Sequence, residues 1–438
     1  MPEKANAQPT KEFFVNMITK DIQLDACILD LLDNCLDGAS AQLADNGEET
    51  ARRYEGYWAD ITLSEDEFKI EDNCGGISID EAINYAFRFG RRPDAPPEAD
   101  YSIGLYGIGM KRAMFKIGKR IEIESSTSNE AFSVSIGVDT WLAGPEWDFD
   151  LEREAAYETA GTTIEINDLH NEIKAEFADQ VFVNKLRRSI ARDYSIFLQN
   201  GFMARVNGED IAPYEFKLRE SDQFAPVKRQ YDDDSIHVEI TAGMAGLPND
   251  DTSAESPENA IPEVEYYGWF VLCNDRVVIA ADKSADTVWG DEQFPVWHPQ
   301  YNGFMGFVSF RSQRPELLPW TTTKRQIDLD DPAYRRAVSV MKEVTRQYID
   351  YTTQRKANLD QAKELERQTT PISVVRIEDR PQMGLPRLTP RLAVVNINYQ
   401  KPLRDVRKVA EVLGNASMTY RQVGIDTFDY YYKTHVED

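Results

Sequence analysis

Asp30, Asn34 and Asp37 stand at i, i+4 and i+7 of the run LDACILDLLDNCLDGA (24–39). On an α-helix of about 3.6 residues per turn that spacing gathers them on one side. Leu24, Ile28, Leu31, Leu32, Cys35 and Ala39 fall on the other. An amide and two carboxylates in a row suit the solvated face of an amphipathic helix. They also make an oxygen-rich wall. Mg²⁺ takes oxygen ligands in octahedral geometry, keeps several waters and bridges to phosphates. Asn34 can give it one neutral oxygen, and Asp30, one turn earlier, can orient a water.

Three further groups carry similar chemistry. Asp72 precedes a glycine pair in DNCGGIS (72–78), after the strand-like FKIE (68–71). A carboxylate there can accept from an exocyclic amine while the glycines let a ring approach the backbone. SIGLYGIGMKRA (102–113) places Gly104, Gly107 and Gly109 ahead of a helix-like run. Such glycines let backbone N–H groups and the positive end of a helix dipole wrap a phosphate. Lys111 adds a point charge. The strand and acidic-residue pattern of a dinucleotide fold is missing, so a Rossmann reading is rejected. GTTIEINDL (161–169) starts a strand with Gly161-Thr162, and Thr162 can share a network with Asp72.

The elements that must hold these groups alternate. Residues 21–45 read as a helix, while 121–126, 132–138 and 162–166 read as strands. We expect an α/β fold, an α+β two-layer sandwich, over 11–172, and a second α/β unit over 173–330. That second unit starts with a helix around 178–199 and includes strand-like GWFVLCNDRVVIA (268–280) and GFVSF (306–310). The acidic stretch 247–263 reads as an exposed loop. Asp331-Pro332 predicts a cap and first turn for a long helix over 331–368, with Tyr334, Val338, Met341, Val344 and Tyr348 on one face. Residues 369–390 carry four prolines and read as a linker. A small, mostly helical segment (391–438) ends the chain, with Gly414 stopping the run 404–414.

Composition narrows the classes. With 42% hydrophobic residues, the 438-residue chain can bury real cores. No apolar run reaches the length a membrane helix needs, and the N-terminal residues lack a signal-peptide pattern. We expect a cytoplasmic protein without a membrane partner. Cys27, Cys35, Cys74 and Cys273 show neither CxxC nor zinc spacing and read as buried thiols. His170, His237, His298 and His435 are scattered. The net charge is −26, which opposes non-specific binding to nucleic acid. Residues 371–438 are the exception, with ten Lys/Arg against eight Asp/Glu.

Taken in order, ILDLLDNCLDGA (28–39), DNCGGI (72–77), GLYGIGMK (104–111) and GTTIEI (161–166) resemble the ATP-binding boxes of the GHKL superfamily. That group holds gyrase B, the large heat-shock chaperone, sensor histidine kinases and the MutL ATPases. The LLDNCLDGA helix and GTTIEINDL strand look MutL-like, and GLYGIGMK is similar to the MORC glycine box. GWFVLCNDRVV (268–278) and LPWTTTKRQID (318–328) look like the strand-turn-strand and the lysine loop of a transducer domain. The resemblance implies a Bergerat-fold ATPase domain followed by a transducer-like domain. It implies ATP and Mg²⁺ as ligands, with Asn34 on the metal and Asp72, Gly76, Ile77 and Thr162 around adenine. Gly104, Gly107, Gly109, Met110 and Lys111 would hold the phosphates, with Asp37 in the same set, and residues 85–103 would form a lid. Lys324 would reach the terminal phosphate.

By the same resemblance, nucleotide closes a dimeric clamp, acting as a γ-phosphate-ordered switch with a protein partner. DNA fits the relatives' roles and a basic lumen of Lys116, Lys119, Arg120, Arg187, Arg188 and Arg192, but the net charge opposes it. The chain departs from the pattern twice. Asp30 stands where the family has Glu, one methylene longer, which slows or abolishes hydrolysis. Cys74 replaces a glycine of the adenine box. A non-hydrolysing ATP-binding scaffold is therefore the alternative. A sensor kinase needs a histidine on a helix ahead of the ATPase domain, and the residues before the first helical segment contain none.

Overall fold

Ile61, Leu63, Phe68 and Ile70 sit at alternate positions and are all buried, the period that turns one face of a strand toward a core. A computed structural model of the chain describes residues 9–46, 53–90, 101–104, 107–246, 266–388 and 397–436. It opens with α1 (Lys11–Lys20) and α2 (Leu24–Asn46), followed by β1 (Trp58–Leu63) and β2 (Glu67–Asp72). After the short α3 (Ile79–Glu81) come α4 (Gly109–Ile117), β3 (Gly118–Ser126), β4 (Ala131–Gly137), α5 (Val138–Ala143), β5 (Glu152–Glu154) and β6 (Gly161–Leu169). Three helices follow, α6 (Asn171–Ala178), α7 (Gln180–Asp193) and α8 (Ser195–Gln199), and then β7 (Met203–Val206) and β8 (Glu209–Asp210).

The first sheet runs β5-β4-β3-β6-β2-β1-β7-β8. It continues past residue 172, because β7 pairs parallel with β1, Ala59 opposite Ala204. Helices α2 and α4 pack together over it. Helix α2 is buried nearly all round: Cys27, Ile28, Leu29, Leu32 and Leu36 are fully enclosed. The amphipathic pattern anticipates a solvated side, yet Asp30 and Asp33 are buried too.

A second sheet joins β10 (Val227–Asp233), β11 (Ile236–Met244), β14 (Phe304–Arg311), β12 (Gly268–Cys273) and β13 (Arg276–Asp282), in that order. The strand that precedes them in sequence, β9 (Lys217–Glu220), pairs instead with β15 (Thr370–Ser373). Helix α9 (Pro332–Ala357) begins as its sequence predicts, with the Asp331 carboxylate accepting from the Ala333 and Tyr334 N–H groups. It buries Tyr334, Met341, Val344 and Tyr348. Next, α10 (Leu359–Arg367) returns Glu366 to Arg355 in a buried ion pair of 2.7 Å.

The stretch expected as a linker, 369–390, is built into this unit as far as residue 388. Besides β15, Arg380 and Gly384 bridge to Lys228 and Ala225, and Ile377, Met383 and Leu388 are buried. Prolines lack an N–H but tolerate the extended edge conformation, so their number did not prevent pairing. The chain forms two units, Met1–Leu388 and Thr389–Asp438. In the second, α11 (Leu403–Val412) and α12 (Tyr420–His435) bury Ala410 and Val423, and Gly414, at φ 87°, ends α11 in the left-handed region. Among the described residues no helix is long and apolar enough to cross a membrane. All four cysteines are free and buried.

Candidate functional site

Helix α2 meets the candidate boxes along its middle turns. At its C-terminal half, Gly38 lies under the 72–77 turn: a Cβ there would come 2.7 Å from the Cys74 carbonyl oxygen. Eight residues earlier, Asp30 lies against Gly109, where a Cβ would sit 3.3 Å from the Asp30 Cβ. Eight residues of helix span about 12 Å, so one rigid element touches both the Asp72 turn and the start of α4.

The first cluster surrounds Asp72. Its carboxylate accepts from the Cys74 N–H at 2.7 Å. Burial raises its pKa above the ordinary value, against hydrogen bonds from Cys74, Cys35 and the Thr162 backbone. The Ile77 N–H donates to Ser125 Oγ at 2.8 Å, and Ser125 Oγ lies 2.8 Å from Thr162 Oγ1. Asp72, Gly76, Ile77 and Thr162 thus converge, with Ser125 as the hub that the sequence did not single out. The glycines are required by crowding. A Cβ on Gly161 would stand 1.9 Å from the Asp72 carbonyl oxygen, and one on Gly76, at φ 70°, 2.0 Å from the Ser126 carbonyl oxygen. Gly76→Ala combines a left-handed backbone with a backbone clash and is expected to destabilise the chain by about 3 kcal/mol. Chemical denaturation checks this, and a variant within about 0.5 kcal/mol of the parent would show that the turn relaxes.

The second cluster surrounds the start of α4. Asp37 accepts from the Ile103 N–H at 2.6 Å and the Gly104 N–H at 2.5 Å. It therefore pins the loop that leads into the glycines. Burial pushes the Asp37 carboxyl up to about 7, opposed by the two N–H groups and by Lys324. Gly107, at φ 61°, takes a left-handed turn before the helix. The first N–H groups of α4, at Gly109 and Met110, have no partner within the helix. Asn34 is exposed beside the same loop, where a Cβ on Gly104 would come 3.7 Å from its Oδ1. A single neutral oxygen open to solvent fits Mg²⁺, which would complete its shell with phosphate oxygens and waters. No group of three or more His, Cys, Asp or Glu residues among the described residues could hold a metal by itself.

Lys111 is turned elsewhere. Its Nζ donates to the Ala86 carbonyl at 2.6 Å, tying α4 to the start of the expected lid, and burial lowers its pKa to about 7. Residues 91–100 of that lid, with Leu105 and Tyr106 of the glycine loop, lie outside the described residues, as do 247–265.

Lys324 sits in a tight loop closed by a Trp320–Ile327 bridge, at φ 53°. Its Nζ donates to Asp33 Oδ2 at 2.8 Å and lies 4.0 Å from Asp30 Oδ1. Asp33 Oδ1 accepts from the Tyr194 hydroxyl at 2.7 Å and from Arg276 Nε at 2.8 Å. Arg276 also donates to the Lys324 carbonyl at 2.7 Å. Burial pushes the Asp33 carboxyl up, but Arg276 and Lys324 outweigh it and hold the group below its usual range. Asn274, on the same hairpin as Arg276, donates to the Ser102 carbonyl at 3.1 Å. The second sheet therefore reaches both the base of α2 and the glycine loop. Asp30 itself is paired with Arg112 of α4.

Asp33, Arg112, Tyr194, Asn274 and Arg276 escape sequence reasoning. Asp33 lies off the 30–34–37 stripe, and its partners are up to 291 residues away. Of the six cations considered for a basic lumen, three are in ion pairs: Lys119 with Asp139, Arg187 with Glu209 and Arg192 with Asp193.

Comparison with proteins of curated function returns no match. The family model that matches is that of the histidine kinase-, DNA gyrase B- and HSP90-like ATPases, and it covers residues 22–171, about a third of the chain. This segment, which holds α2, the Asp72 turn, the glycine loop and β6, is thus similar to the GHKL-type ATPase domain, a domain that binds ATP.

Proposed function

We propose that the chain is a Mg·ATP-dependent conformational switch that hydrolyses ATP slowly and relays its nucleotide state to a partner protein. The observation that carries this reading is the single helix α2 under both clusters, with Cys35 and Gly38 beneath the Asp72 turn and Asp30, Asn34 and Asp37 beside the glycine loop. Asp72 accepts the adenine amine, with Thr162 and Ser125 closing the network. The α4 N-terminus and Gly104, Gly107 and Gly109 take the phosphates, and Asn34 holds Mg²⁺. When bound, Mg²⁺ would offset charge on the phosphate oxygens. Asp30 takes the proton of a water whose oxygen bonds to the terminal phosphorus while the bond to the bridging oxygen breaks and ADP leaves.

The second sheet supports the relay, since Lys324 and Arg276 contact α2 and Asn274 contacts the glycine loop. This arrangement agrees with the MutL- and MORC-like reading of the sequence. Phe13 and Met17, one turn apart on α1, are 61% and 53% exposed, which supports association of two copies through that helix. Pairing of Lys119, Arg187 and Arg192 weakens a DNA-facing lumen. A second reading, an ATP-binding scaffold that does not hydrolyse, is favoured by the Arg112 pairing of Asp30.

Asn34→Ala tests the assignment. It is expected to weaken Mg·ATP binding at least tenfold, about 1.4 kcal/mol, with little change in metal-free ATP binding. Calorimetry with and without Mg²⁺ reads this, and an unchanged Mg²⁺ dependence would remove Asn34 from the metal.

A further inference from the structure

Arg112 has no role in the reading so far beyond covering Asp30. It lies three residues into α4 from Gly109 and is only 6% exposed. Its Nη2 donates to Asp30 Oδ2, yet its Nε is buried without a hydrogen-bond partner among the described residues. A buried guanidinium that leaves a donor unmatched is costly. Through Asp30 and Asp33 it is linked to two further buried cations, Lys324 and Arg276. An unmatched guanidinium donor at the foot of a glycine-loop helix leaves room for an anion.

We infer that Arg112 is a ligand of the terminal phosphate, and that binding of ATP transfers it from Asp30 to that phosphate. The inference rests on the ATP-binding reading and deepens it. Helical side chains lean toward the N-terminus of their helix, so the guanidinium of Arg112 leans toward the end of α4 where phosphates would collect. A planar fork with five N–H donors can leave a single contact with a carboxylate for two contacts with a phosphate. The transfer satisfies Nε and uncovers Oδ2 of Asp30, which then accepts the proton of the attacking water. With ADP or no nucleotide, Arg112 returns and covers Asp30 again. Hydrolysis is thereby gated by the presence of its own substrate, which reconciles the two readings above.

The test is calorimetric binding of Mg·ATP and Mg·ADP to the full chain and to four variants: Arg112→Ala, Arg112→Lys, Asp30→Asn, and Asp30→Asn with Arg112→Ala. Arg112→Ala is expected to weaken ATP about tenfold and ADP by less than about twofold. Asp30→Asn, which stops competing for the guanidinium, tightens ATP several-fold, and Arg112→Ala in that background abolishes the gain. Arg112→Lys keeps the charge without the fork and loses part of the ATP preference, so it serves if circular dichroism shows Arg112→Ala misfolded. Equal losses for ATP and ADP, or none, overturn the assignment. Failure of the unsubstituted protein to bind either nucleotide would refute the ATP-binding reading itself. Intact binding with an unchanged ATP-to-ADP ratio in the Arg112 variants refutes only the role of Arg112.

Discussion

Asp30→Asn is expected to lower phosphate release at saturating Mg·ATP by at least about a hundredfold while nucleotide still binds. An amide cannot take the proton of the attacking water, so the loss falls on turnover. Asp30 is the carboxylate that faces Gly109 at the start of α4, and its neighbours Asp33 and Asp37 are committed elsewhere. Asp33 is shared among Tyr194, Arg276 and Lys324, and Asp37 holds two backbone N–H groups. Neither can replace it without dismantling a contact. Single-turnover phosphate release, measured beside equilibrium nucleotide binding, separates the outcomes. An unchanged rate would show that the proton goes to another group. A parent protein that binds ATP without releasing phosphate would favour the scaffold reading.

Asp33→Asn is expected to cost about 3–5 kcal/mol of stability, because it leaves Arg276 and Lys324 buried with their charges uncompensated. Both cations are nearly sealed from solvent, with side chains 1% and 7% exposed, so water cannot replace the carboxylate. Tyr194→Phe removes one neutral O–H, shared between Asp33 Oδ1 and the Leu29 carbonyl, and should cost about 1 kcal/mol. The order of the two midpoints in urea unfolding is the test. If Asp33→Asn is no worse than Tyr194→Phe, the ion pairs do not fasten the second sheet to α2. Since Lys324 is held by Asp33, the same variant should also blunt any dependence of the second sheet on nucleotide.

Local patterns made much of the site legible. The i, i+4, i+7 spacing gave the α2 face, the glycines fixed the turn at 72–77 and the start of α4, and Gly161-Thr162 marked the strand beside Asp72. Each depends on a few consecutive residues, so helical and strand periods and glycine's left-handed freedom carry the information. The cap at Asp331 and the stop at Gly414 were readable for the same reason. What local chemistry could not give was the choice of partners across the chain. Asp30 looked like a free carboxylate on a solvated face, and Lys111 like a phosphate ligand. The structure instead buries Lys111 against the Ala86 carbonyl and pairs Asp30 with Arg112. The prolines of 369–388 suggested a linker, but buried Ile377, Met383 and Leu388 fastened that stretch to the second unit. Sequence alone thus determined which groups share a helix face, a turn and a glycine loop. Tertiary structure decided which of them are already paired, because an ion pair is set by distance in space and by the loss of water around it.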